Sequence, residues 1–85
     1  MSMMKLSERD RAMIDLEREA HALEQPKELE IRSRFGVSPS SYYKTLAVLV
    51  QLPSAYEYDP LTVLRLRRQR ERRRRQRFGA SDSAR

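Results

Sequence analysis

Five residues, Phe35-Gly36-Val37-Ser38-Pro39, constrain this chain more than any others. Gly most readily takes the left-handed backbone conformation that ends a helix, Ser is a preferred N-cap, and Pro fits the first helical position, whose N–H has no partner in any case. A stop and a start so close together predict two short helices meeting at a tight turn. Around that junction, Ile31, Phe35, Val37, Tyr42 and Leu46 fall where one helix must pack across the other, leaving the intervening side chains to reach outward. The stretch from Lys27 to Leu52 therefore reads as a helix-turn-helix. A plain helical hairpin with the same punctuation is the alternative.

The rest of the chain is read around that unit. Ser7 followed by Asp10 resembles a capping box and predicts a first helix over Glu8 to Glu24. Its apolar residues Met13, Leu16, Ala20 and Leu23 form one stripe, widened by Ile14, and should face the core. Glu8, Asp10, Asp15, Glu17, Glu19 and Glu24 should form a solvated, mostly acidic face that turns away from any polyanion. Pro26 suits the first position of a second helix over Lys27 to Phe35, with Glu28 and Glu30 in its favourable first turn. The third helix should run from Pro39 to about Leu52. Its Leu46-to-Val50 run, apolar on nearly all sides, demands burial or a covering partner. Pro53 should stop it, leaving residues 54–59 as a turn from which Tyr56, Tyr58 or both fold back on the core. Asp59 and Pro60 should start a fourth helix anchored by Leu61 and Leu64, with help from Val63 and Leu66. No further apolar residue occurs until Phe78, so its distal part must project or remain disordered.

The expected fold is all-α: a small helical domain of three to four helices containing a helix-turn-helix, with an Arg-rich C-terminal helical extension. Its divisions are a flexible N-terminus over 1–6, the domain over 7–64, the extension over 65–78 and a flexible tail over 79–85.

Charge separates along these divisions. Residues 1–64 carry eight Lys or Arg against ten Asp or Glu, whereas residues 65–77 carry nine Arg against Glu71 alone. So concentrated a cationic segment is an electrostatic footprint for a polyanion, which points to DNA, with RNA served equally well by an Arg-rich helix. The expected phosphate contacts are Arg65, Arg67, Arg68, Arg70, Arg72, Arg73, Arg74, Arg75 and Arg77, with Arg32 and Arg34 on the second helix. Arg32 occupies a position where a small residue is usual, and its stem would have to snorkel past the crossing helix. In a helix-turn-helix the start of the second helix enters the major groove, which assigns base and groove contacts to Ser38, Ser40, Ser41, Tyr43 and Lys44. Bidentate readers are missing from that face, so direct readout should be modest.

Several function classes are excluded on composition. No cysteine is present and His21 is the single histidine, so neither thiolate nor histidine-cluster metal sites can form, and no cofactor is expected. The longest apolar run falls far short of the roughly 20 residues a membrane span needs, which makes a cytoplasmic, nucleoid-associated protein the expectation. Carboxylates lie on solvated faces, serines lack a neighbouring base and no Gly-rich phosphate loop occurs, so catalysis is not expected.

The segments IRSRFGVSPSSYYKTL and YDPLTVLRLRRQRERRRR resemble a family of small actinobacterial and actinobacteriophage proteins catalogued as a domain of unknown function. The likeness covers about Leu16 to Arg77. Glu28, Ile31, Arg32, Arg34, Phe35, Gly36, Ser38, Tyr42 and Tyr43 fill its first motif. Tyr58, Asp59, Pro60, Val63, Arg65, Leu66, Arg67 and Arg68 fill its second. The resemblance implies a DNA-binding helix-turn-helix fold, and it places Arg32 within this version of the motif.

The expected function is DNA binding, as a transcriptional regulator of host or phage origin with its third helix in the major groove. Alternatives are an architectural DNA binder with little sequence preference, an interaction protein gripping RNA polymerase or another host factor, and an RNA or ribosome binder acting through the arginines. The apolar residues Leu46, Leu49, Val50, Leu61 and Leu64 offer a homodimer interface.

Overall fold

The computed structural model describes residues 5–83, with side chains described through Gln76. It is built from five α-helices: α1 (Glu8–Glu19), α2 (Lys27–Phe35), α3 (Pro39–Leu49), α4 (Pro53–Tyr58) and α5 (Pro60–Ser83). No strand occurs among the described residues. Residues 1–4 and 84–85 of the expected flexible ends lie outside them.

The start of α1 is the capping box read from sequence: the Asp10 N–H donates to Ser7 Oγ at 3.0 Å, and Ser7 N–H donates to Asp10 Oδ2 at 3.1 Å. Its end comes earlier than expected. α1 stops at Glu19, a 3-10 turn covers Ala20–Ala22, and Leu23 is extended, because the chain must turn there to bring Pro26 into position. Pro26 is itself the N-cap of α2, one residue ahead of its expected place, with its backbone extended at ψ 143°.

The α2–α3 junction follows the sequence closely. Gly36 sits at φ 66° and donates its N–H to the Arg32 carbonyl at 2.9 Å, while Ser38 caps α3 through a 3.1 Å bond from the Ser41 N–H. α3 ends at Leu49 and the next three residues turn, so α4 begins at Pro53 where a turn was expected. Pro53 starts a helix here rather than only stopping one, since a proline in the first turn lacks an N–H that would be unpaired anyway.

The core draws on every helix: Met13, Ile14 and Leu16 from α1, Ile31 from α2, Tyr42, Leu46 and Leu49 from α3 with Val50 behind it, Ala55 from α4, and Val63 and Leu66 from α5. Leu6, Leu23, Phe35, Val37 and Leu52 pack around it. One expected anchor gives way to a neighbour that was not expected in the core. Leu61 is 81% exposed, whereas Thr62 is buried beside Val63. The run from Leu46 to Val50 is also less enclosed than its composition demands. Val48 is 67% exposed, and Leu46, Leu49 and Val50 turn into the chain's own core. Three of the five residues expected at a dimer interface are thereby used internally.

Glu17 departs most from expectation. Placed by sequence on the solvated face, it is only 5% exposed. Its Oε2 accepts from the Tyr42 hydroxyl at 2.6 Å, its Oε1 accepts from Lys27 Nζ at 2.7 Å, and its backbone carbonyl accepts from Arg65 at 2.8 Å. One acidic residue thus joins α1 to α2, α3 and α5. Burial, and then the hydrogen bond to Glu17, push the Tyr42 hydroxyl far above the usual phenol range, so it acts only as a protonated donor.

α5 is rooted at its N-terminus by Asp59, whose Oδ1 accepts from the Thr62 N–H at 3.3 Å and whose Oδ2 accepts from Arg18 at 3.0 Å. Tyr58 donates to Asp15 at 2.7 Å, tying the same corner to α1. Partial burial pushes the Asp59 carboxyl up, but the bonds from Thr62 and Arg18 outweigh it and hold its pKa low. A lowered folded-state pKa contributes stability that is present above the unfolded value of about 3.9 and is lost as pH falls through the folded value. Asp59→Ala is accordingly expected to reduce stability by about 1 kcal/mol near pH 7. Thermal unfolding followed down to about pH 2 should show the gap to wild type closing below about pH 4.

The helix then continues as one element to Ser83, across the divisions placed at 64/65 and 78/79. Its 24 residues span about 36 Å at 1.5 Å per residue, and only the first two turns carry core side chains.

Candidate nucleic-acid interface

The residues assigned to contacts from sequence fall into three groups. On the first turns of α3, Ser40, Ser41 and Lys44 are exposed, whereas the Ser38 hydroxyl already accepts from Ser41 as the helix cap. Tyr43 is partly exposed and held firmly. Its ring meets Tyr42 edge-on at 5.1 Å, and Lys27 Nζ lies 5.1 Å from its centroid. The exposed ridge of α3 continues to the half-buried Ala47.

On α2, Arg32 is exposed. Arg34 donates to Glu30 at 2.7 Å, and hydrogen bonds from Gln25 and then Arg34 hold the Glu30 carboxylate below its usual range. Arg34 is therefore engaged on the surface of its own helix.

The α5 arginines divide by task. Arg65 donates to the Glu17 carbonyl, and Arg67 Nε donates to the Val50 carbonyl at 2.6 Å while its guanidinium lies 5.8 Å from the Tyr56 ring centre. Both dock α5 on the domain. Arg68, Arg70, Arg72, Arg73, Arg74 and Arg75 are exposed, and among the described residues Glu71 reaches only Arg74, at 4.0 Å. The side chain of Arg77, also assigned a phosphate contact, lies outside the described residues.

A groove of about 270 Å³ brings the α3 and α5 groups together. Its floor is Leu46, Ala47, Val50 and Leu66, with Glu17 at its base, and its rim is Lys27, Tyr43, Gln69, Arg70 and Arg73. Tyr43 and two of the exposed arginines thus open onto one concave surface. Ser41 and Lys44 lie outside it, Lys44 lining a shallower hollow with Thr45, Val48 and Asp10. Gln69, not assigned to the interface, also lines the groove; its place follows from the packing of α5 against α3, which local spacing does not reveal.

Among the described residues, no group of three His, Cys, Asp or Glu converges as a metal site would require. No helix among them is long and apolar enough to cross a membrane. Fold and site together define a small all-helical module with a cationic helix rooted on an acidic-to-neutral domain. Residues 5–78 match the family described as protein of unknown function (DUF3263), and the chain belongs to that family. No curated protein and no solved structure matches it.

Proposed function

We propose that the protein binds duplex DNA through a helix-turn-helix formed by α2 and α3 and acts as a transcriptional regulator. The groove shared by Tyr43, Arg70 and Arg73 carries this reading, because a polyanion lying against α3 there meets the α5 arginines at once. α3 positions the module in the major groove. Ser40, Ser41 and Lys44 reach phosphates or base edges from its first turns, and Arg32 reaches the backbone beside it. The exposed arginines of α5 supply a salt-sensitive affinity for phosphate.

The test is binding of the full chain to duplex DNA, single-stranded DNA and structured RNA, with Tyr43→Ala/Lys44→Ala alongside. Duplex DNA should bind best, with a preferred sequence, and the double variant should weaken it by about tenfold and shrink the footprint. Unchanged affinity and footprint would remove α3 from the groove. A chain that binds all duplexes alike would instead be an architectural DNA binder.

A further inference from the structure

The distal half of α5 has a pattern that phosphate neutralisation alone does not explain. The tripeptide Arg-Gln-Arg occurs at 68–70 and again at 75–77, seven residues on. Within one continuous helix, seven residues return a side chain to within about 20° of the same direction. Gln69 and Gln76 therefore share a face. Arg68 and Arg75, one residue before each glutamine, project about 100° to one side, and Arg70, one residue after Gln69, projects about 100° to the other. Arg72 and Arg73 flank the line joining the two glutamines. Glu71 falls about 160° away on the opposite face, where Arg74 approaches it.

That cross-section matches what a helix meets inside a major groove. The groove is about 12 Å wide and admits one α-helix, with base edges on its floor and a phosphate row on each wall. Hydrogen-bonding side chains suit the floor, cations the flanks, and the segment's one acid suits the solvent side. Glutamine can bond adenine through N6 and N7 together, and arginine can do the same for guanine. These bidentate readers are the chemistry missing from the first turns of α3.

The position of this segment fits as well. Arg65 and Arg67 bond to carbonyls of the domain, and Val63 and Leu66 are buried, so the exposed segment leaves the domain in a fixed direction. Gln69, Arg70 and Arg73 open onto the groove that Tyr43 lines. A duplex engaged by α3 can continue onto α5.

We propose that the Gln69/Gln76 face of α5 is a base-reading surface for duplex DNA, with Arg68 and Arg75 on one phosphate row and Arg70 on the other. This rests on the DNA-binding reading above and assigns to α5 the specificity that α3 lacks. The two glutamines stand about 10.5 Å apart along the helix, or about three base pairs at 3.4 Å each, so the preferred site should carry two adenines at that separation.

The experiment is selection of preferred duplexes from a randomised pool by the full-length chain, followed by affinity measurements. Gln69→Ala/Gln76→Ala should lose the preference at two positions about three base pairs apart and bind the selected duplex about tenfold more weakly, with affinity for unrelated duplexes unchanged. Arg68→Ala/Arg75→Ala should weaken all duplexes alike and lower the salt dependence by about two phosphate contacts. Arg68, Arg75 and Gln76 are exposed and Gln69 is half-buried in the groove wall, so unchanged thermal unfolding is required of both variants to confirm intact folding. A preference that survives the glutamine changes but is erased by Tyr43→Ala/Lys44→Ala would overturn this proposal while leaving the helix-turn-helix reading in place. A wild-type chain that prefers no duplex, or prefers structured RNA, would overturn the proposal at its foundation.

Discussion

Glu17→Ala should destabilise the domain by about 3 kcal/mol, the largest effect expected of any single polar substitution in this chain. The carboxylate is almost fully buried and accepts from both Tyr42 and Lys27. Its removal leaves a phenol without its main acceptor and an ammonium facing an apolar groove floor. Removing one member of a buried pair is far more disruptive than replacing the whole group, because an uncompensated charge stays behind. In a domain of this size each kcal/mol lowers the melting temperature by about 4–8 °C, so the loss should exceed 10 °C by calorimetry. Replacing the set together, as Glu17→Leu/Lys27→Met/Tyr42→Phe, should recover much of that loss. A Glu17→Ala chain that melts within about 2 °C of wild type would show that the network contributes little.

The second large effect concerns binding and should leave folding alone. Changing Arg72, Arg73, Arg74 and Arg75 together to Ala removes four exposed guanidinium groups, none of which bonds to the domain. Each phosphate contact contributes about 0.9 to the slope of log affinity against log salt. The slope should therefore fall by about three to four, with affinity for duplex DNA dropping about 100-fold or more at moderate salt. Thermal stability should not change. Arg65→Ala/Arg67→Ala should behave in the opposite way, since those side chains bond to buried carbonyls: stability should fall by about 1.5 kcal/mol per residue with a smaller change in salt slope. If both sets lower affinity equally without touching stability, the division of labour along α5 is wrong.

Much of this was legible in the sequence, and the reasons are local. The Gly36 turn, the Ser38 cap with Pro39, and the Ser7/Asp10 capping box are decided by backbone preferences within four residues, and each forms as the residues dictate. The acidic-to-basic division also survives, because charge runs need no tertiary context. What escaped was set by packing between distant segments. Glu17 lies four residues after Met13 and three before Ala20, within the apolar stripe, so its spacing pointed inward while its charge pointed outward. Only the partners Tyr42 and Lys27, far along the chain, decide between the two. Leu61 and Thr62 exchange roles for a similar reason: the direction in which Asp59 launches α5 determines which of the adjacent residues meets the core. In the candidate site, Tyr43 and the arginines were singled out separately, and their meeting in one groove required the docking of α5 through Arg65 and Arg67.

In the proposed function, one duplex is held jointly by α3 and the exposed length of α5. Backbone amide shifts of the full-length chain during titration with duplex DNA test it most directly. The largest changes are expected at Ser40, Tyr43 and Lys44 on α3 and from Gln69 to Gln76 on α5, with Glu8, Glu19 and Glu24 unmoved. Changes confined to α5, or centred on α1, would contradict it.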